Sequence, residues 1–483
     1  MGFSRKSLVV LLSVGTIVAH AQIPYPNPIK HVVIVIQENR TPDNLFRALL
    51  TWPGINPANY NIATSGTNSK GQTIPLTPGP LGTTYDLRHS HASFLDMYDG
   101  GKMDGADKIP CYGTCPANPQ FAYVDNSTHL IDPYLTLAAQ YGWANFMFQT
   151  NQGPSYPSHQ FLFGATSATS ATDDAAGTFV AENPSAPRGA NYTSFNDSGC
   201  LAPLDEWNFL IHSDGTEAKL TNTTPGAFCF SHDTLASLLD DAGLTWKYYA
   251  QIQTKNPGGS NPGGSIWTAP NSIREICKPD SKYTQCTGPE WAANVDLTPS
   301  DVLKDIGACN LANVSWVTPD GKNSDHPANG TTGGPSWVAS IVNSIGNATT
   351  CEAGAGYWSD TAILITWDDW GGWYDHEAPT ILTAPFGSYQ YGFRVPLVVV
   401  SAYTPLAYVS NDRLDFGSML RFTQGIFNLR EGSLGFADAR ANGDLNTFFK
   451  FKQSPRPFQT IPAPFNADFF INDKRPPEPP DND

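Results

Sequence analysis

The strongest constraint on the fold is a run of consecutive apolar, mostly β-branched residues at 31–36, His-Val-Val-Ile-Val-Ile, that turns polar at Gln37. Such a run lacks the alternation of a strand with one wet face, so it predicts a strand buried on both faces. Similar runs occupy 362–367 and 395–400, and weaker ones occupy 244–250 and 313–317. Each of the weaker two follows a stretch with helical pattern, at 233–242 and 300–307. Helix followed by strand, repeated, is the rhythm of an α/β fold with a mostly parallel sheet covered by helices on both faces. A chain of 483 residues with 42 glycines and 40 prolines has room for one large domain with long, well-punctuated connections.

The amino terminus carries Arg5 and Lys6, an apolar run at 8–18 and then Ala19-His20-Ala21. This is the pattern of a secretory signal peptide over 1–21, cleaved near Ala21, and it predicts a secreted or periplasmic protein. The run is too short to cross ~30 Å of hydrocarbon. Eight cysteines follow, an even number that suggests disulfides in an exported chain. Zinc ligation is the competing reading, but no C-x2-C pair occurs. Pairing between sequence neighbours is the expectation.

The main domain is expected over 22–472. Within it, about 165–298 is rich in Asn, Ser, Thr, Gly and Pro and reads as a cap-like insertion, with Asn-Pro-Gly-Gly-Ser at 256–260 and again at 261–265. Residues 473–483 are proline-rich and charged, the composition of a disordered tail. The net charge of −16 argues against a nucleic-acid partner, and leaves at most transient contact with an anionic membrane surface. It leaves phosphate chemistry open, because a bound metal reverses the sign of the local field.

Candidate chemistry sits after the strand runs. Glu38, Asn39 and Arg40 follow the first, where ligands bind in open parallel sheets. Asn39 and Thr41 could equally turn the chain and cap a helix at 44–50. Asp368 and Asp369 follow the run at 362–367, and adjacent carboxylates are economically explained by a divalent cation between them. A solvated acidic turn is the alternative. Gly371 and Gly372 would let the backbone approach a ligand. His89, His326 and His376 each lie beside an acid or Arg in turn-like context, whereas His129, His212 and His232 read as structural. Ser155, in Gly-Pro-Ser-Tyr-Pro, precedes an apolar run at 161–163. It is either a helix cap or a hydroxyl at a helix amino terminus that favours a phosphate dianion.

In order, the motifs are the segment 31–40, Asp86-Leu-Arg-His89, Gly100-Gly-Lys-Met-Asp-Gly105, Gly153-Pro-Ser155, Asp325-His-Pro327, Ile365-Thr-Trp-Asp-Asp369 with Gly371, Gly372, Asp375 and His376, and Arg394-Val-Pro396. Together they resemble the phosphoesterase family that contains bacterial phospholipases C and acid phosphatases, within the alkaline-phosphatase-like superfamily. The resemblance runs through most of the chain and implies a doubly wound sheet in a catalytic domain. It also implies one divalent metal ion held by Glu38, Asn39, Ser155, Asp368 and Asp369. Ser155 would be the nucleophile, with His89, His326 and His376 as further catalytic residues and Asp325 and Arg40 toward the substrate. Oxygen-dominated ligands suit Mg²⁺, Ca²⁺ or Mn²⁺, and added histidine suits Zn²⁺ or Fe. The implied substrate is a small-molecule or phospholipid phosphate ester.

The chain departs from the family pattern in three places: Asp369 stands where Glu is common, Ser158 where Asn follows the proline, and Phe416 where His is common. Its end soon after 472 tilts the expectation toward a phosphomonoesterase. A binding or surface-interaction protein on a degenerate form of the fold is the rival reading, and it requires a broken metal site. A sulfatase is disfavoured, since His159 follows Ser158 where that signature has Arg.

Overall fold

A computed structural model describes residues 27–185, 198–202, 204–224, 226, 228–251, 266–283, 285–328, 332–379 and 391–478. The expected signal peptide, the Asn-Pro-Gly-Gly-Ser repeat and the last five residues of the tail lie outside them. Among the described residues the core is an eight-stranded sheet. In chain order its strands are β1 (His31–Gln37), β2 (Gly142–Phe148), β3 (Trp246–Tyr249), β4 (Val295–Asp296), β5 (Val314–Val317), β6 (Thr361–Trp367), β7 (Leu397–Ser401) and β8 (Tyr408–Asp415). Their order across the sheet is β4-β3-β5-β1-β6-β7-β2-β8. All run parallel except β7, which is antiparallel to both neighbours.

β1 and β6 lie side by side at the centre, with Gln37 level with Trp367, and every residue of both is buried. That is why their sequences are unbroken apolar runs. Both faces are covered. Gln37 and Trp367 point toward α1 (Asp132–Gln140), where each shares a hydrogen-bonded network with Tyr134. Trp316 of β5 points the other way, its indole N–H donating to the Leu162 carbonyl of α2 (Ser155–Gly164) at 3.2 Å. α1 packs on α5 (Gly334–Asn347), which also meets α4 (Asp301–Gly307), while α2 packs on α3 (Leu235–Asp241) and α6 (Phe416–Ile426).

The segment expected as a cap is not one unit. The helix α3 and the strands β3 and β4 return to the central sheet, because their apolar faces are needed there. What stands apart is a small antiparallel sheet of Phe179–Val180, Trp207–Ile211 and Glu217–Thr221. The first six residues of the expected tail are described, with Arg475 paired to Asp473 and the Glu478 carbonyl accepting from Gly321 N at 3.2 Å. The eight cysteines form four disulfides, each joining sequence neighbours: 111–115, 200–229, 277–286 and 309–351.

Candidate active site

Parallel strands share one carboxyl edge, and there β1 delivers Glu38 and Asn39, β6 delivers Asp368 and Asp369, and the loop after β2 delivers Ser155. All five are fully buried. The two strand ends are stitched together: Asp368 Oδ1 accepts from Asn39 N (3.1 Å) and Asp369 N (2.7 Å). Asn39 has a left-handed backbone, φ 60°, and its carbonyl lies 2.5 Å from where a Cβ on Gly371 would sit. Gly371, itself at φ +60°, is required by that approach of two chain segments rather than by a ligand. Gly371 N in turn donates to Asp369 Oδ1 at 2.7 Å.

Ser155 opens α2, and the helix receives no side-chain cap; its N-cap is Pro154. The Ser155 hydroxyl instead donates toward Asp369 Oδ2 at 3.2 Å, with Glu38 Oε2 at 3.4 Å. Thr41, by contrast, caps the helix Pro42–Leu45 by accepting from Asn44 N. Ser158, within the first turn of α2, donates to Asn151 Oδ1 at 2.7 Å and so ties the helix to the loop that precedes it.

Three fully buried carboxylates, Glu38, Asp368 and Asp369, thus converge, an arrangement in which three negative charges are costly unless a cation neutralises them. Asp368 Oδ2 and Asn39 Oδ1 are buried with no hydrogen-bond partner. Both are oxygens, and this is the donor chemistry a divalent ion takes. His89 accounts for the orientation of Asn39. Its Nδ1–H donates to the Leu87 carbonyl at 2.9 Å, which leaves Nε2 to accept from Asn39 Nδ2 at 3.2 Å and turns Oδ1 inward. The same Nε2 is 3.9 Å from Asp369 Oδ2. His326 stands beside His89, ring centroids 6.4 Å apart, with its Nδ1–H on the Pro327 carbonyl at 2.6 Å.

The remaining candidates lie elsewhere. Arg40 commits all three guanidinium nitrogens to protein acceptors, the Asp325 and Leu81 carbonyls and Asn44 Oδ1. Burial lowers it to about 10, yet it remains a cation that anchors the Asp325 loop. The Asp325 carboxylate faces α1, accepting from Tyr134 (2.7 Å), Trp367 (3.2 Å) and Gln37 (3.5 Å), with burial raising it to about 6. Both therefore hold the site from behind rather than face a substrate. His376 belongs to a second buried cluster, bonded to Asp43 (2.7 Å) and Asn61 (2.9 Å) beside Arg394.

Sequence reasoning missed His159. It sits one helical turn after Ser155, on the same face of α2, fully buried, with Nε2 3.1 Å from Glu38 Oε1 and 3.8 Å from Asp368 Oδ2. Burial pulls it down to about 4, against the opposite pull of Asp368, so the ring is neutral. The i, i+4 spacing from a candidate nucleophile was the available signal.

Residues 29–430 match the model of the Phosphoesterase family. Phospholipase C A of Mycobacterium tuberculosis H37Rv is 25% identical over 461 residues, which take in 88% of this chain and 78% of that protein. The non-hemolytic phospholipase C of Burkholderia pseudomallei is 26% identical over 297 residues, 53% of this chain and 41% of that protein. Among solved structures, a protein in the alkaline phosphatase superfamily from Vibrio parahaemolyticus has a TM-score of 0.30 and 10% identity, over 84% of this chain and 68% of that one. At that likeness the fold assignment rests on the sheet itself. The family match spans the carboxylates, the serine and the histidines at the sheet's carboxyl edge, and the chain belongs to the Phosphoesterase family as a phosphoric ester hydrolase.

Proposed function

We propose that this chain is an exported, metal-dependent phosphoric ester hydrolase of the phospholipase C or acid phosphatase type, acting through Ser155. The observation that carries the reading is the uncapped Ser155 hydroxyl between Asp369 and Glu38, with the partnerless Asp368 Oδ2 and Asn39 Oδ1 alongside. One divalent ion held by Glu38, Asn39, Ser155, Asp368 and Asp369 would neutralise phosphoryl oxygens and acidify the serine hydroxyl.

Ser155 Oγ gives up its proton toward Asp369 and attacks phosphorus in line, so that the Oγ–P bond forms as the P–O bond to the alcohol breaks. His326, having taken a second ring proton from solvent on Nε2, supplies the proton that the leaving alkoxide takes, a contribution of ~10²–10⁴-fold in rate, and the serine proton passes from Asp369 to solvent. Water then cleaves the phosphoserine and regenerates the hydroxyl. His89 keeps the Asn39 amide oriented, so its loss would act through the metal-holding oxygens. Export is supported by the amino-terminal pattern and by four disulfides, which persist in oxidising compartments. No helix of the described residues is long and apolar enough to cross a membrane.

The test is a substrate panel of p-nitrophenyl phosphate, p-nitrophenyl phosphorylcholine and phosphatidylcholine vesicles, run before and after chelation. Hydrolysis that disappears with the metal and returns on its restoration is expected, and the preferred substrate separates monoesterase from phospholipase. Full turnover after exhaustive metal removal overturns the mechanism.

A further inference from the structure

We infer that His159 is itself a ligand of the metal ion, which makes the centre a mixed imidazole and carboxylate site that selects a transition ion such as Zn²⁺ over Mg²⁺ and Ca²⁺. The inference rests on the assignment of Glu38 and Asp368 as metal-holding residues and adds to it a nitrogen donor.

The hydrogen bonds of Tyr248 favour one tautomer of the ring. Tyr248 donates its single hydroxyl proton to the Trp267 carbonyl at 2.8 Å. The 3.4 Å contact between the same hydroxyl oxygen and His159 Nδ1 is then attractive only if Nδ1 carries the imidazole proton. On that tautomer Nε2 presents a lone pair to Glu38 Oε1 at 3.1 Å, a contact that only the other tautomer makes a hydrogen bond. Nε2 also faces the partnerless Asp368 Oδ2, and one ligand atom from each of the three residues lies within 4.8 Å of the others. Three lone pairs converging in a fully buried site repel one another unless a cation lies among them.

The outer arrangement agrees. A ligating histidine characteristically donates its other ring N–H to a fixed acceptor, which sets the ring's orientation. Here that acceptor is Tyr248, held in turn by the backbone at Trp267. An imidazole in an otherwise oxygen-donor set moves preference toward Zn²⁺ or Fe, because Mg²⁺ and Ca²⁺ favour oxygen alone.

X-ray absorption on the wild-type protein loaded with one equivalent of Zn²⁺ reads the ligand directly, without a variant. Imidazole multiple scattering is expected. Chelator competition then compares Zn²⁺ affinity in His159→Gln and Tyr248→Phe. The first should lose more than the ~10–100-fold typical of removing an outer partner, and the second should fall within that range. A wild-type Zn²⁺ site with oxygen donors only, or unchanged Zn²⁺ affinity in folded His159→Gln, overturns the assignment of His159 while leaving the hydrolase reading intact. Failure of the wild-type chain to bind any divalent ion overturns both.

Discussion

At Ser155 a structural role and a chemical role predict opposite outcomes. Its hydroxyl caps nothing, so Ser155→Ala removes an interaction with two carboxylates rather than one with the helix backbone. The variant should keep its thermal midpoint within a few degrees and lose ~10⁴-fold or more in turnover, as loss of a nucleophile does elsewhere. Acid quench of the wild type followed by peptide mass spectrometry should place phosphate on Ser155; label on Ser158 would relocate the centre. Asp368→Asn tests the cation instead. Its Oδ1 can go on accepting from Asn39 and Asp369, so the fold should persist, while the partnerless Oδ2 position loses its charge. Metal affinity should fall by at least ~10-fold, read by chelator competition, and unchanged affinity would remove Asp368 from the ligand set. Glu38, Asn39, Asp368 and Asp369 were legible because each follows a strand that announces itself as an apolar run. His159 was not, since its partners are 121 and 209 positions away in the chain and only the fold aligns them. Arg40 and Asp325 looked like substrate contacts for the same reason: a sequence shows a charge but not which way it points.

The same divide separates the elements. β1, β6 and β7 were readable from composition, being central strands with no wet face. β8 was not, because Tyr408–Asp415 forms an edge of the sheet and carries Ser410, Asn411, Asp412 and Arg413 within a strand that shifts register there. β2 was missed for a different reason: Asn145 interrupts its apolar pattern, and only the structure reveals that this amide receives N–H donors from Asn61 and Trp143 and donates to the Asn59 carbonyl and Asn411. The loop after β6 leads to the cluster of Asp43, Asp375, His376 and Arg394, which ties it to the helix after β1. Burial works against the charged form of His376, but the bond to Asp43 outweighs it and holds the imidazole above its ordinary value near 6.5. Burial likewise pushes Asp43 up, and His376 with Arg394 brings it net below 3.8. A raised histidine stabilises fully below its unfolded value and loses that contribution as pH rises through the folded one; a lowered carboxylate loses its contribution as pH falls. The pair should therefore stabilise most between about pH 4 and pH 6.5. The urea midpoint of the wild type should decline above that window more steeply than that of His376→Gln, and parallel profiles would show that the pair does not couple folding to pH.

On the scale of the whole molecule, the site draws on chain segments from Glu38 to Asp369, brought together by a sheet whose order bears little relation to sequence order. That order was beyond sequence reading: periodicity reports burial, whereas the neighbour of each strand is decided by long-range packing. The cysteine pattern was more transparent, because an even set after a signal-peptide pattern predicts bridges and neighbours in sequence close the shortest loops. These loops differ in what they can contribute. Cys309–Cys351 closes 42 residues, running from the end of α4 through α5 to the approach to β6, whereas Cys111–Cys115 closes only 4. If a bridge acts chiefly by restricting the unfolded chain, the long loop is worth about 4 kcal/mol and the short one about 2 kcal/mol. Replacing both cysteines of a pair by alanine should therefore lower the denaturant-derived stability by roughly 2 kcal/mol more for 309/351 than for 111/115. Hydrolysis at low temperature should survive in both variants, since neither pair contacts Ser155 or its carboxylates. Equal losses from the two pairs would show that local packing around each bridge, and not loop closure, accounts for their contribution. Loss of turnover in a folded 309/351 variant would show instead that α5, at whose amino end Gly334 packs against the Asp325 carboxylate, transmits its position to the site.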